Sequence, residues 1–329
     1  MTTDYRQWDE QQAARGASFL QSAPWGQFQA SIGHPAHYIM EKDWSCLLLQ
    51  RRTAVGSYLL AQYGPTLPAP GSLGAALAGL KAYAAQHGAD WLRIEPMLPN
   101  GQGAGLEPEL ARLGARRASH NVEPALTRIL DLKPSAEELL ASISSTTRSF
   151  IRKNQRENFI SFKTSVDPAD VPSFATMVNS VAGRKGVGFF PADYYQKQAE
   201  ILMPLKRLYL ELAYAGDRPI GGIMMHDFGK LSSYTYAASL PEARQQNVSA
   251  LLLWQALINA KARGMERLDL FGVAPDDAPP SHPWYGFSAF KRKFGGELVE
   301  HAGTWDVPIT AKYKVYRSAE KTKRLLRRR

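Results

Sequence analysis

Ala84-Ala-Gln-His-Gly88-Ala-Asp-Trp-Leu92-Arg-Ile94 and Ala260-Lys-Ala-Arg-Gly264-Met-Glu-Arg-Leu268-Asp-Leu270 follow one plan. Each closes a helical run with a glycine, which takes the left-handed cap conformation without a Cβ clash, and each then enters a short apolar strand. The first helix is Ser72 to His87, with Leu73, Ala76, Leu77, Leu80, Tyr83 and Ala84 at helical spacing. The second is Ser249 to Arg263, strongly apolar. Strand-like runs precede both. They are Cys46 to Gln50 and Ser57 to Tyr63 in the first half, then Leu208 to Tyr214, Ile220 to His226 and Ser232 to Ala237 in the second. One copy of the pattern in each half predicts a duplicated domain rather than a solenoid. Coincidence of helix caps is the alternative.

The shared unit is a few antiparallel strands, a long helix and a further strand. That is the core order of the GNAT acyltransferase fold. The expected class is therefore α+β, with two GNAT-like domains built on mixed, mostly antiparallel sheets with flanking helices. Lys133-Pro134 is the first plausible boundary, and Ser135 with Glu138 forms a capping-box pattern just after it.

Composition sets outer limits. The chain has 329 residues, 44% hydrophobic and 21% charged, which describes a folded protein rather than a disordered one. A single cysteine, Cys46, rules out an internal disulfide framework and a cysteine-rich metal site; no metal is expected. No signal peptide is visible in the polar N-terminus, and no apolar run is long enough to span a bilayer. The expected setting is cytoplasmic, with the inner face of the membrane as a further option. Net charge is +10, and part of the excess lies in the last segment, including Lys321 and Arg324. Arg148, Arg152 and Arg156 recur every fourth residue and form one cationic stripe if helical. These features fit an anionic partner, nucleic acid or anionic lipid, and equally fit a solvated, solubilising surface.

His282-Pro-Trp-Tyr-Gly-Phe-Ser-Ala-Phe-Lys-Arg-Lys-Phe-Gly-Gly296 sets aromatics among three cations. Two readings are open. Either Phe287, Phe290 and Phe294 are the core face of a short helix, or an aromatic wall holds Lys291 where negative charge develops.

Five short stretches carry a resemblance: Gln21-Ser22 with Trp25-Gly26-Gln27, Tyr63-Gly64-Pro65, Leu92-Arg93-Ile94-Glu95-Pro96, Tyr234-Thr-Tyr236-Ala-Ala-Ser239, and Phe290-Lys291 with Phe294-Gly295-Gly296. In this order they resemble the Fem family of aminoacyltransferases, which build peptidoglycan cross-bridges. The chain looks like the shorter, FemX-like form without a coiled-coil arm. The resemblance implies a first domain, 1–133, completed by 304–329, and a second, 134–303. It implies transfer of an amino acid from aminoacyl-tRNA, a co-substrate, to the stem-peptide amine of a peptidoglycan precursor, with no other cofactor. A monomer is expected.

The family's site residues carry over by position. Lys291 matches its transfer-site lysine, with oxyanion or terminal-phosphate neutralisation as the implied role, and Phe290 its pocket-shaping neighbour. Glu95 stands where the family usually has Asp, to orient the amine or accept its proton. Tyr234, Tyr236, Tyr194 and Tyr63 fall at substrate-contacting positions, and the first two are expected to share a strand face. The chain departs where the family grips a nucleotide diphosphate: no Lys lies among residues 34–37, and Phe190 replaces an Arg. Arg184, with Lys185, is the available substitute. A lipid-linked acceptor at an anionic membrane surface therefore fits better than a UDP-linked one. Two rival readings are a GNAT-type N-acyltransferase using acyl-CoA and a non-catalytic RNA- or membrane-binding protein. Arg244-Gln-Gln-Asn247-Val-Ser249 lacks the glycine of a pyrophosphate loop, against the first rival.

Overall fold

The computed structural model describes residues 4–99, 103, 105–185, 190–244 and 246–326. In chain order the strands are β1 (Ala36–Met40), β2 (Ser45–Arg52), β3 (Ser57–Ala61), β4 (Trp91–Ile94), β5 (Arg116–Arg117), β6 (Leu126–Asp131), β7 (Ser161–Ser165), β8 (Leu208–Ala215), β9 (Arg218–Phe228), β10 (Leu231–Ser239), β11 (Arg267–Gly272), β12 (Glu297–Glu300) and β13 (Trp305–Pro308). The helices are α1 (Tyr5–Ala14), α2 (Ala23–Ser31), α3 (Leu73–Gln86), α4 (Glu107–Arg112), α5 (Ala136–Ser142), α6 (Ser145–Glu157), α7 (Val171–Lys185), α8 (Ala192–Leu202), α9 (Val248–Ala262), α10 (Tyr285–Arg292) and α11 (Lys312–Leu326).

The chain divides into two compact units, residues 1–125 with 299–329, and residues 126–298. The first holds a six-stranded sheet in the order β1-β2-β3-β4-β13-β5. The second sheet has seven strands, β12-β6-β11-β10-β9-β8-β7. In each sheet the central neighbours are one parallel pair, β3 with β4 and β10 with β11, while β1–β2, β2–β3, β4–β13, β13–β5, β6–β11, β10–β9, β9–β8 and β8–β7 are antiparallel. A parallel pair needs a crossover, supplied here by α3 and α9.

The two helix endings match bond for bond. Ala89 N–H donates to the Ala84 carbonyl and Met265 N–H to the Ala260 carbonyl, while Gly88 and Gly264 sit at φ 68° and 84°. This is the six-to-one closure that a left-handed glycine permits. α3 buries only its Leu73, Ala76, Leu77, Leu80 and Ala84 stripe. By contrast α9 is apolar on nearly every side and buries nine residues, as a helix sunk in a core does.

Three features differ from what the sequence predicts. β6 lies in the second unit, paired antiparallel with β11, although the Lys133-Pro134 break would leave it in the first. β1 and β7 go unread because Ala36–Met40 and Ser161–Ser165 are too polar or too short to alternate clearly. Pro172 to Val181 reads as helical in the sequence, and the helix observed is Val171–Lys185. The capping box is present: Ser135 N–H donates to Glu138 at 2.8 Å and Glu138 N–H to Ser135 Oγ at 3.2 Å. Among the described residues no helix is long and apolar enough to cross a membrane, and no cluster of three or more His, Cys, Asp or Glu is placed to hold a metal.

Candidate functional site

β10 and β11 pair only at Leu231–Arg267, Ser232–Leu268 and Ser233–Asp269. Beyond that point β10 stays with β9 as far as Ser239, and β11 stays with β6 as far as Gly272. The two strands therefore part. A groove of about 720 Å³ lies along β10 beyond this point, walled by Ile223, Tyr234, Ala237, Leu252, Phe287 and Phe290. Among the described lining residues the polar side chains are Tyr234, Ser239 and Ser249.

α10 delivers Lys291 to this place. Its buried face carries Ser288 and Lys291, three residues apart. Ser288 Oγ accepts from Ala274 N–H at 2.8 Å, and Lys291 Nζ donates to the Gly272 carbonyl at 2.8 Å. Those two bonds tie α10 to the segment leaving β11. The ammonium, only 7% exposed, also lies 5.4 Å from the Tyr234 ring centre and 5.2 Å from that of Phe287. Each ring presents a negative face to a desolvated cation. Burial pulls the Lys291 pKa down to about 8, and the charge of Asp269 works against that fall.

Asp269 is itself buried. Burial pushes its pKa up to about 6, opposed first by a hydrogen bond from Phe271 N–H, then by the charge of Lys291. The Phe271 bond is 2.7 Å long and Phe271 sits at φ 61°, an uncommon conformation for a bulky residue. The β6–β11 register shifts between Asp269 and Gly272 at the same place. Asp269, Gly272 and Ser288 were not among the residues that the sequence singles out. One signal was available for Asp269: a lone carboxylate between Leu268 and Leu270 in a buried strand.

Of the aromatics in the Lys291 stretch, Phe294 is core, Phe290 is half-buried, and Phe287 is 41% exposed at the groove. The core reading holds for Phe294, while Phe287 and Tyr234 flank the Lys291 ammonium. Tyr234 and Tyr236 do not share a face. The β9–β10 register shifts between them, Tyr234 paired with Met225 and Tyr236 with Met224, so Thr235 is an extra residue. A bulge reverses the alternation. Tyr234 and Ala237 pack with the α9 core, whereas Tyr236 packs edge-on to Tyr195 of α8, ring centres 5.2 Å apart. Tyr194 stacks on Phe190 at 3.9 Å, and its hydroxyl is 3.4 Å from that of Tyr236. Of these tyrosines Tyr234 lies against Lys291, its ring centre 5.4 Å from Nζ.

In the first unit Glu95 is 2% exposed and both its oxygens are engaged. Oε2 accepts from Tyr63 N–H at 3.2 Å; Oε1 accepts from Val122 N–H, Glu123 N–H and Thr304 Oγ1 at 3.1, 2.9 and 2.5 Å. These bonds make Glu95 an anchor for three chain segments. Tyr63 is anchored as well. It is buried, its hydroxyl donates to the Pro124 carbonyl at 2.6 Å, and its ring lies against His301. The titratable carboxylate nearby is Glu123, pushed up to about 8 by burial and then by the charge of Glu95, with Gln62 as its donor at 2.6 Å.

The basic stripe is only partly free. Arg148 folds back to donate to the Ala141 carbonyl at 2.6 Å, while Arg152 and Arg156 are exposed on α6. Lys321 is exposed on α11. The side chains of Arg184 and Arg324 lie outside the described residues. At the start of α9 a second cavity, about 190 Å³, is lined by Thr146, Thr147, Asn247, Ser249 and Lys293 among others. Asn247 there is left-handed at φ 50° and makes no side-chain cap bond.

Residues 212–321 match the model of the FemAB family. Among curated proteins, none matches the sequence. Among solved structures, the chain is similar to the crystal structure of FemX, with TM-score 0.82 and 17% identity over 96% of this chain and 98% of that one. It is also similar to L-PGS from Bacillus licheniformis, TM-score 0.60 and 12% identity over 93% and 92%. A tandem GNAT protein from the clavulanic acid biosynthesis pathway gives TM-score 0.55 and 14% identity over 94% and 97%. At these identities the likenesses establish the fold, a duplicated GNAT-like α+β architecture.

Proposed function

We propose that this chain, whose resemblance to the Fem family is borne out by the FemAB match and the FemX-like fold, is an aminoacyltransferase of peptidoglycan cross-bridge synthesis. The donor in this reading is an aminoacyl-tRNA and the acceptor is a stem-peptide amine of a precursor. The observation that carries it is the buried Lys291 ammonium, 5.4 and 5.2 Å from the ring centres of Tyr234 and Phe287, two residues that line the groove.

The chemistry needs little more. An aminoacyl ester is already activated, so the acceptor amine attacks its carbonyl directly. The C–N bond forms, negative charge gathers on the carbonyl oxygen, and the C–O bond to ribose then breaks. In this reading Lys291 donates a hydrogen bond to that oxygen, in a setting where burial strengthens it. With a pKa near 8 the group remains mostly protonated at neutral pH. The attacking amine must lose a proton, which passes in net terms to the ribose hydroxyl or to water.

The lack of a lysine at residues 34–37 and the Phe at 190 favour a lipid-linked acceptor over a nucleotide-linked one. Exposed Arg152, Arg156 and Lys321 are available to tRNA phosphates or anionic lipid. The test is transfer from a pool of labelled aminoacyl-tRNAs to each acceptor form. Product with neither acceptor would reject the reading. The polar cavity at the α9 start keeps acyl-CoA as a second donor class. Calorimetry with acetyl-CoA separates the two: heat of binding would favour the thioester donor.

A further inference from the structure

We propose that Asp269 is a positioning residue for Lys291: its carboxylate pins Phe271 in the bulge that aims the Gly272 carbonyl at Nζ, and its charge keeps the ammonium protonated. The inference rests on Lys291 being the working cation of the proposed reaction.

The geometry gives each half of the claim. A phenylalanine at φ 61° is held against its own preference, and such conformations persist only where neighbours over-determine them. One such restraint is the 2.7 Å bond from Phe271 N–H to Asp269 Oδ1. Its consequence is that the next residue, Gly272, points its carbonyl at Lys291 Nζ, 2.8 Å away. Without the bulge a regular β11 would keep that carbonyl on the sheet ladder. The other half is electrostatic. Burial disfavours the ammonium, and Asp269 is the opposing charge on it. Around Asp269 the facing groups are Lys291, Thr127 of β6 and Arg267 of its own strand; around Lys291 they are Asp269 and the Tyr234 and Phe287 rings. One carboxylate thus sets both the place and the charge of the lysine without lining the groove.

The test is Asp269→Asn, whose amide oxygen still accepts from Phe271 N–H while the charge is gone. The Lys291 amine is titrated directly by heteronuclear NMR, assigned with Lys291→Met. The expected result is a downward move of the Lys291 titration from about 8. The alkaline limb of kcat/KM should move by the same amount, transfer above it falling about tenfold per unit. Asp269→Ala, which removes the acceptor as well, should lower transfer at every pH. Should Asp269→Asn fail to fold, Asp269→Asn/Phe271→Gly restores a residue at ease in the left-handed turn and takes its place. An unmoved Lys291 titration in a folded Asp269→Asn protein overturns the inference. A shifted titration in a chain that transfers no amino acid upholds the positioning and rejects the function.

Discussion

Lys291→Met tests the site from an unusual direction, because it should cost activity without costing stability. The native pKa near 8, against an ordinary 10.5, is a drop of about 2.5 units. At 1.36 kcal/mol per unit the charged lysine costs the fold about 3 kcal/mol relative to an exposed one. Methionine removes that cost and keeps the unbranched stem. Against it stands the Gly272 carbonyl, left without Nζ, at about 1–3 kcal/mol. Asp269, losing its cation, rises further and takes up a proton. The balance is a variant between unchanged and about 2 kcal/mol more stable at pH 7. Stability against pH gives the sharper reading. Between 8 and 10.5 the unfolded wild type binds more protons at this site than the folded one, so its stability rises with pH; the variant should lack that rise. Transfer should fall about 10²–10³-fold, the usual loss of one oxyanion donor. Urea melts from pH 7 to 10.5 and single-turnover transfer supply both numbers. A variant that unfolds more easily at pH 7, or that keeps the wild-type slope, refutes the account of a strained, desolvated ammonium.

Other outcomes follow from single contacts. Glu123 holds its proton to about pH 8 in the folded chain, so between about 4.5 and 8 the folded state binds more protons and stability falls as pH rises; Glu123→Gln should flatten that stretch of a thermal-melt series. Arg93 meets Asp306 with two hydrogen bonds, at 2.7 and 3.0 Å, both side chains at most 3% exposed. Arg93→Ala leaves a buried carboxylate unpaired and should cost about 3–5 kcal/mol in urea unfolding; a loss under 1 kcal/mol would argue against a sealed pair. Gly222→Ala would put a Cβ 2.6 Å from Phe174 Cδ2 and should cost about 1–3 kcal/mol, while calorimetry on Gly71→Ala, with nothing within 4 Å, should show no comparable loss.

What the sequence made legible depended on whether a signal was local. The glycine caps, the crossover helices and the Ser135 box each rest on residues within one or two turns, and each is present. Lys291 was legible because cations inside an aromatic run are rarely there for packing alone. The roles assigned to Glu95 and Tyr63 were not secured, since both are decided by partners far along the chain: Thr304 is 209 residues from Glu95 and Pro124 is 61 from Tyr63. Tyr234 and Tyr236 obey the strand rule until one inserted residue, Thr235, breaks it, and nothing in Tyr-Thr-Tyr announces a bulge. Asp269 was hidden for a related reason. Its effect runs through the conformation of Phe271, which no residue type there predicts.

The two sheets explain why one copy of the fold carries the lysine site. Reading the second backwards from β7 sets β8, β9, β10, β11, β6 and β12 against β1, β2, β3, β4, β13 and β5. β13, from the far end of the chain, thus takes the place in the first unit that β6 takes in the second, each antiparallel to the strand after the crossover helix. The matched parallel pairs then behave differently. β3 and β4 stay paired from Tyr58–Trp91 to Ala61–Ile94, the whole length of β4, while β10 and β11 separate after three pairs. Side chains account for the contrast. At the position of Asp269 the first unit has Arg93, locked to Asp306 of β13, with Tyr58 stacked on Trp91 and Trp91 on Tyr316. That arrangement neutralises its charge inside the sheet. In the second unit the equivalent residue is an acid whose charge is turned on a lysine from α10. At matching places of one design, then, the first unit has a salt bridge and an aromatic stack along fully paired strands, and the second a bulge where the strands part.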